Sequence, residues 1–218
     1  QVAAIMMEAL QGEGGVSPGV RAYFQRIREI CDEKGILLIM DEVQVGMGRT
    51  GYLWGYEALG IEPDIFTSAK GLGGGIPIGA MLCKSFCDVF APGDHASTFG
   101  GNPFACAVAL SVCQTLEQEG LLDNVQARGE QLRQGLEAIA HKHPNLIAKV
   151  RGWGLINGLV LQDDIELNSA AIVKAAMTEG LLLVPAGLKV VRFVPPLIVS
   201  ADEIDRSVEV VDRVLASI

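Results

Sequence analysis

The sequence is poor in positive charge and has no long apolar run. Its 17 Lys and Arg residues are outnumbered by 26 Asp and Glu residues, which gives the 218 residues a formal net charge of −9. An acidic surface repels the phosphates of nucleic acids and the anionic face of a membrane, so we expect neither partner. Apolar stretches such as Val2–Met7 and Ile36–Met40 are much shorter than the roughly 20 residues of a membrane-spanning helix.

The start of the sequence lacks the basic residues of a secretory signal. The opening stretch Gln1–Glu8 contains no Lys or Arg, so we expect a cytoplasmic protein. Because the chain begins without Met and directly inside a predicted strand, we also expect it to be the later part of a longer natural chain.

Cysteine occurs in an odd number and without the spacing of a metal site. None of the five cysteines forms a Cys-x-x-Cys pair, and most lie in apolar runs that are typical of reduced core thiols. His141 and His143 stand in a polar helix end, where solvated side chains are expected. We therefore predict no disulfide and no metal ligand.

The first half of the chain has the pattern of an α/β domain. Ser17 and Pro18 predict the start of an amphipathic helix that ends before Gly35. Short apolar runs predict strands at Val2–Glu8, Ile36–Asp41, Ile65–Ser68 and Ile78–Cys83. Strands of this kind, with a helix between the first two, are typical of a mainly parallel sheet.

The second half predicts helices around two longer strands. Asn102 and Pro103 predict a helix that ends at Gly120, and a polar helix from about Asp123 to His141 is expected to lead away from the core. Further elements are predicted at Lys149–Leu161 (strand), Ser169–Glu179 (helix) and Leu181–Val194 (strand), with a final helix after a capping box of Ser200 and Glu203. We therefore predict one domain over residues 1–122, a connecting helix over 123–144, and a smaller domain over 145–218.

Two carboxylates, Asp41 and Glu42, stand at the end of a predicted buried strand. Ligands of open α/β sheets bind at this edge, where an acid is partly shielded from water and can meet a cationic group. The alternative is a structural carboxylate that caps a turn or a helix. The residues alone leave both interpretations of Asp41 open.

Lys70 follows the next predicted strand and precedes a glycine run, Gly71–Gly75. Lysine is rare at a buried strand end, where it would lose hydration and its neutral amine could form a Schiff base. The glycines would let a flat ligand approach the backbone. The alternative is a lysine whose amine extends from the strand end into solvent.

Nucleotide-binding fingerprints are absent or misplaced. Gly46–Gly51 matches G-x-G-x-x-G, but Asp41–Val45 separates it from its strand and Gly55 interrupts the stretch that follows. A dinucleotide site needs its first glycine directly after the strand and a long helix behind it. We therefore expect no nicotinamide cofactor.

Taken together, the motifs resemble those of the class III, pyridoxal-phosphate-dependent aminotransferases. The segments that carry the resemblance run across the chain in the order of that family: Glu8–Gly15, Asp41–Gln44, Gly48–Gly51, Ser68–Gly71, Thr98–Pro103 and Val191–Leu197. The resemblance implies pyridoxal 5′-phosphate as the cofactor and a fold-type I architecture, with residues 1–122 as the later part of the large, cofactor-binding domain. The remaining fold would be a small α+β domain.

The resemblance also implies roles for cofactor-binding residues. Lys70 is similar to the lysine that holds the cofactor and moves a proton during catalysis, and Asp41 to the acid that pairs with the pyridinium nitrogen. Gln44 resembles the residue that binds the phenolic oxygen. Thr98 resembles the residue that reaches the cofactor phosphate of the other subunit, which implies a homodimer.

Three residues resemble substrate-binding positions. Arg192 is similar to the arginine that grips a substrate carboxylate, and Glu13 to the carboxylate that pairs with this arginine in one half-reaction and releases it in the other. Glu8 takes the position of a further family glutamate, although Ala9 follows it where proline often stands.

The activity implied is transfer of the terminal amine of N2-acetylornithine to 2-oxoglutarate, a step of arginine biosynthesis. Alternative donors are ornithine, succinylornithine and 4-aminobutyrate. The family's phosphate-binding glycine turn, stacking aromatic ring and second substrate arginine are not found in these residues. We therefore expect the 218-residue chain by itself to be inactive, and a folding and dimerisation unit without a working site is the other alternative.

Overall fold

A computed structural model describes residues 2–218, which form two units. The first contains the described residues up to Ala9 together with Gly19–Gly48 and Tyr52–Gly120. The second contains Leu10–Pro18, Arg49–Gly51 and Leu121–Ile218. The predicted division at residues 122 and 144 stays a prediction, and the sequence pattern did not indicate that two short segments of the first half join the second unit.

The first unit is built on a four-stranded, mostly parallel sheet, which confirms the predicted α/β class. Its strands in chain order are β1 (Ala4–Glu8), β4 (Leu37–Asp41), β5 (Ile65–Ser68) and β6 (Ala80–Cys83). They lie side by side in the order β1-β4-β5-β6, with β6 antiparallel to its neighbour. The carboxyl ends of the three parallel strands therefore meet at one edge.

Helices α1 (Arg21–Lys34) and α2 (Pro103–Gln118) belong to the same unit. The predicted start of α2 is confirmed, because the Asn102 side chain accepts the N–H of Ala105 and Pro103 occupies the first turn. The predicted start of α1 at Ser17 is wrong. Ser17 and Pro18 form a short strand, β3, which pairs with β2 (Leu10–Gln11) and keeps both residues extended.

The second unit contains an antiparallel sheet covered by helices. Its strands are β7 (Ile147–Trp153), β8 (Ile156–Leu161), β9 (Val184–Pro185) and β10 (Val190–Phe193), in the spatial order β7-β8-β10-β9. Its helices are α3 (Leu121–Lys142), α4 (Ser169–Thr178) and α5 (Ala201–Ala216). The capping box of Ser200 and Glu203 is present at the start of α5.

The prediction that α3 leads away from the core is wrong. Val125, Leu132, Leu136 and Ile139 lie on one side of this helix and are buried in the core of the second unit. The polar residues that dominate the sequence of α3 occupy its other side, as expected for an amphipathic helix. Among residues 2–218, no helix is long and apolar enough to cross a bilayer.

Candidate active site

Asp41 ends the central strand β4 at the carboxyl edge of the first sheet. Its Oδ1 accepts the backbone N–H of Val43 at 2.9 Å and lies 3.5 Å from the Thr67 hydroxyl. The strand register places Glu8 and Thr67 beside Asp41 on the two flanking strands. The side chain of Asp41 is half-buried, so its carboxylate keeps capacity to accept further hydrogen bonds at this edge.

Glu42, the next residue, is 1% exposed, and its side chain binds the far end of the loop that follows β4. Its carboxylate accepts the backbone N–H groups of Gly55 at 2.6 Å and Tyr56 at 2.9 Å. Burial raises the pKa of Glu42 to about 7, although the two N–H groups oppose the shift. The sequence reasoning gave this residue no role of its own, and the only signal was its place beside Asp41.

The loop that Glu42 closes carries Gln44 and Met47. Gln44 is half-buried and lies in a run of turns directly after β4. Met47 is buried and adopts φ 53°, a left-handed conformation that is strained for a residue with a side chain. A Cβ added to Gly71 would lie 3.2 Å from the Cβ of Met47. The backbone after Lys70 therefore packs directly on the loop that contains Gln44.

Lys70 begins a 3₁₀ turn, Lys70–Gly73, two residues after β5. Its backbone is also left-handed, with φ 45°, and its side chain is exposed. The predicted burial of this lysine is wrong for this chain, because β5 ends at Ser68 and the turn carries Lys70 out of the sheet. Its predicted place at the strand end is confirmed, and the packing of Met47 on Gly71 brings the Lys70 and Gln44 segments together.

Thr98 lies in the exposed stretch that leads to α2. Every residue from 88 to 101 is exposed, including the side chains of Phe90 and Phe99. The structure therefore does not bring Thr98 against Asp41 or Lys70 through any contact that it describes.

In the second unit, a buried arginine meets an exposed carboxylate. Arg192 lies in β10 with its side chain 6% exposed, and its Nη1 lies 2.7 Å from Oε1 of Glu13, whose side chain is 73% exposed. An N–H···O contact of this length between opposite charges is a strong hydrogen bond. The sequence resemblance implies this pair, and the structure brings the two residues together across 179 positions of the chain.

Two further arginines, to which the sequence reasoning assigned no role, hold short segments in the second unit. Arg49 donates to the carbonyls of Leu155 at 3.0 Å and Pro195 at 2.5 Å, and burial lowers its pKa to about 10. Arg151 donates to the carbonyl of Gly15. A sequence pattern shows where such arginines stand, but it does not show which distant carbonyl they bind.

No cluster of His, Cys, Asp and Glu within residues 2–218 is suited to hold a metal ion. The carboxyl edge of the first sheet carries carboxylate, amide and amine groups: Asp41 and Glu8 on neighbouring strands, Gln44 in the loop after β4, and Lys70 after β5. Such a set suits a ligand with a cationic ring nitrogen and a carbonyl carbon.

Comparisons with known proteins agree with this chemistry. A family model described as Aminotransferase class-III matches residues 1–215. Acetylornithine aminotransferase from Thermosynechococcus vestitus is 71% identical over 216 residues, which are 99% of this chain and 52% of that protein. Acetylornithine aminotransferase from a Nostoc species is 70% identical, over 100% of this chain and 51% of that protein.

Solved structures give the same result. N-acetylornithine aminotransferase from Stenotrophomonas maltophilia superimposes with a TM-score of 0.88 at 39% identity, over 99% of this chain and 57% of that chain. Ornithine δ-aminotransferase from Plasmodium falciparum superimposes with a TM-score of 0.93 at 32% identity, over 99% and 56%. The chain spans about half the length of the curated relatives it matches. Because the family model covers all but the last three of the 218 residues, the chain belongs to the class III aminotransferases.

Proposed function

We propose that this chain supplies cofactor-binding and substrate-binding residues to an aminotransferase that moves the terminal amine of N2-acetylornithine to 2-oxoglutarate. The single observation that carries the proposal is the ion pair between the buried Arg192 and the exposed Glu13. A donor without a carboxylate beside its reacting nitrogen leaves such an arginine unused, whereas a 2-oxo acid needs it. The names of the relatives at 71% and 70% identity support N2-acetylornithine as the donor.

The residues at the carboxyl edge of the first sheet fit pyridoxal 5′-phosphate, which class III membership implies. Asp41 would pair with the pyridinium nitrogen, Gln44 would donate to the phenolic oxygen, and Lys70 would bind the aldehyde carbon. The half-buried carboxylate of Asp41, held by Val43 N–H and by Thr67, supports the first of these roles. When bound, the cofactor supplies an electron sink for the negative charge that develops at the substrate carbon.

In the proposed mechanism Lys70 moves the proton. Its Nζ would accept the proton that leaves the substrate carbon and would then donate it, so that one side chain serves first as the base and then as the acid. Asp41 would face the ring nitrogen as its acidic partner. The strained turn at Lys70, packed through Gly71 on Met47, would hold the amine in a narrow range of positions.

Glu13 and Arg192 select the substrate in each half-reaction. With the ω-amine donor, Glu13 stays on Arg192 and neutralises the buried guanidinium, because this donor has no carboxylate beside its reacting nitrogen to bind there. With 2-oxoglutarate or glutamate, the carboxylate beside the reacting carbon replaces Glu13 and binds the guanidinium through two hydrogen bonds. The exposure of Glu13 supports this exchange, because its side chain has open solvent to move into.

Glu8 and Thr98 complete the proposal. Glu8 lies beside Asp41 in the strand register, which supports a role close to the cofactor or the substrate. Thr98, in its exposed stretch, would bind the cofactor phosphate of a second subunit, so that the active protein is a homodimer. We propose a cytoplasmic location for the protein.

A related donor is the second candidate. The TM-score of 0.93 with an ornithine δ-aminotransferase is higher than the 0.88 with the acetylornithine enzyme, which favours ornithine as the alternative. The test uses the full-length protein as its gene encodes it. Initial rates with 2-oxoglutarate are compared for N2-acetylornithine, ornithine, succinylornithine and 4-aminobutyrate. We expect the highest kcat/KM for N2-acetylornithine, and a higher value for any other amine would overturn the substrate assignment.

A further inference from the structure

Two arginines of the second unit flank a glycine on one face of the sheet. Arg151 of β7 and Arg192 of β10 are both directly opposite Gly158 of β8. Directly paired residues of antiparallel strands project from the same face, so the two guanidinium groups lie on either side of a position that has no side chain.

The turn that carries Glu13 occupies the space over Gly158. A Cβ added there would lie 3.0 Å from the Cβ of Val16 and 2.9 Å from a methyl group of Val190. Val16 is fully buried at this place. Any larger residue at position 158 would therefore push Val16, and with it the turn, off the sheet.

The turn itself is strained. The N–H groups of Gly15 and Val16 both donate to the carbonyl of Gly12, at 3.3 and 3.1 Å. Gly15 adopts φ 100° and Val16 adopts φ 55°, which is costly for a β-branched residue. A conformation of this kind persists only when its surroundings hold it in place.

Arg151 provides one such hold. Its Nε and Nη2 donate to the carbonyl oxygen of Gly15 at 2.9 and 2.6 Å. A Cβ added to Gly15 would lie 2.8 Å from Nη2, so this approach of the guanidinium requires glycine. The bond is made to backbone, which has no alternative position while the turn is intact.

The other hold, Arg192 on Glu13, is of a different kind. It joins a buried guanidinium to the end of an exposed and flexible side chain, which a competing carboxylate can replace. One arginine therefore holds the backbone of the turn and the other holds its carboxylate.

We propose that Arg151 is a positioning residue for substrate choice: it holds the Gly12–Val16 turn so that Glu13 returns to Arg192 whenever no substrate carboxylate is bound. The inference rests on the proposed function, in which Glu13 competes with that carboxylate. Without Arg151 the turn samples more positions, and the effective concentration of the Glu13 carboxylate at Arg192 falls. A substrate carboxylate then displaces Glu13 from Arg192 more easily.

The test measures binding of glutarate, a dicarboxylate without a reacting amine or ketone, to the cofactor-loaded full-length protein by calorimetry. Arg151→Met, which keeps the apolar stem and removes both donors, is expected to lower the Kd of glutarate by roughly 3- to 10-fold, the size of one lost hydrogen bond. Arg213→Met, an exposed arginine on α5 that lies 3.7 Å from Glu179, is the control and leaves this Kd unchanged.

A double variant shows whether Arg151 acts through Glu13. In the Glu13→Ala background, Arg151→Met is expected to change the Kd of glutarate by less than about twofold, because the ion pair between Glu13 and Arg192 is already absent. An equal effect in both backgrounds, or weaker binding in the single variant, would overturn the inference. If Arg151→Met does not fold, Arg151→Lys replaces it in the test. Lysine has a single ammonium group in place of the two guanidinium donors, so the Kd of glutarate should fall by a smaller factor.

The same experiment separates this inference from the proposed function. Glutarate binding requires no turnover, so the coupling of Arg151 to Glu13 is measured even if another amine is the donor. Stopped-flow rates of the glutamate and ω-amine half-reactions provide the second readout. Their ratio should move toward glutamate in both variants, by a smaller factor in Arg151→Met, which weakens the competing Glu13 carboxylate, than in Glu13→Ala, which removes it. A general loss of both rates would contradict a role in substrate choice.

Discussion

At the scale of single residues, the proposed function depends most on the ion pair of Glu13 with Arg192. The Glu13 side chain is 73% exposed and pays no burial cost when it leaves Arg192, whereas the arginine is 6% exposed and needs a replacement anion. This asymmetry supports Glu13 as the partner that moves in the proposed exchange.

Glu13→Ala should therefore favour the glutamate half-reaction over the ω-amine half-reaction. We expect the difference between the two activation free energies to change by about 1–3 kcal/mol, because the arginine is no longer masked. Single-turnover kinetics of each half-reaction provide the measurement. Equal losses in both half-reactions would refute the exchange of carboxylates.

Lys70 is proposed as the only covalent attachment point of the cofactor. Lys70→Ala should abolish the link that borohydride reduction makes permanent, because no other lysine follows a parallel strand of the first sheet and precedes a glycine run. Peptide mass analysis after reduction locates the label, and Lys174→Ala, an exposed position on α4, is the control. Label on Lys84, Lys174 or Lys189 would show that the assignment is wrong.

Glu42 gives the protein a pH dependence that the sequence did not suggest. Its folded-state pKa of about 7 lies above the ordinary glutamate value, so the folded protein retains a proton that the unfolded chain has lost. The contribution of Glu42 to stability therefore falls as pH rises from about 5 to 7. Glu42→Gln removes this titration. The free energy of unfolding of the variant should therefore rise relative to that of the wild type by on the order of 2–3 kcal/mol as the pH increases across that range. Denaturant unfolding of both proteins at several pH values measures the change, and a pH-independent difference would contradict the burial of the charge.

At the scale of elements, the carboxyl edge of the first sheet was the most predictable feature. The apolar runs that precede Asp41 and Lys70 are β4 and β5, because short buried strands leave a continuous apolar pattern. The start of α1 was not predictable. Ser17 and Pro18 have the local chemistry of a helix start, and only their pairing with Leu10 and Gln11 keeps them extended.

The same sheet depends on a buried ion pair between elements. Asp64 accepts the N–H of Leu38 at 2.8 Å and a guanidinium N–H of Arg28 at 2.9 Å. Burial alone would raise the pKa of Asp64, but these two partners and the charge of Lys84 hold it below its ordinary value. Asp64 thus joins α1, β4 and the segment that leads into β5.

Asp64→Ala should destabilise the protein by about 2–4 kcal/mol, because it leaves the Leu38 N–H and the Arg28 guanidinium without this acceptor. Denaturant unfolding of the variant and the wild type gives the difference. Glu29→Ala, which removes an exposed partner of Arg26, is the matched control and should have little effect. A similar loss in both variants would contradict the special role of the buried carboxylate.

At the scale of the whole molecule, motif order was sufficient to identify the family, and periodicity was sufficient to identify the α/β class. Neither could show that Leu10–Pro18 and Arg49–Gly51 belong to the second unit, because those segments are held there by distant partners such as Arg151 and Leu155. The burial of one side of α3 was missed for a different reason. Its polar residues are frequent, although Val125, Leu132, Leu136 and Ile139 recur at the spacing of an amphipathic helix.

The 218-residue chain expressed by itself should not transaminate at a measurable rate. The carboxyl edge of the first sheet supplies groups for the ring nitrogen, the phenolic oxygen and the aldehyde, but only Thr98 is proposed for the phosphate. A cofactor displaced by about 1 Å can lose roughly 100-fold in rate. Glutamate formation by the chain alone, compared with the full-length protein at equal concentration, is the measurement. Equal rates would contradict the expectation.

The central claim is that this chain serves a two-step transfer of an amine from an ω-amine to a 2-oxo acid. An absorbance measurement of the cofactor-loaded full-length protein tests this claim most directly. N2-acetylornithine alone should remove the near-visible absorbance of the lysine-bound cofactor, and 2-oxoglutarate added afterwards should restore it, as in ping-pong kinetics. An absorbance that stays unchanged until both substrates are present, or that glutamate removes while no ω-amine does, would contradict the claim.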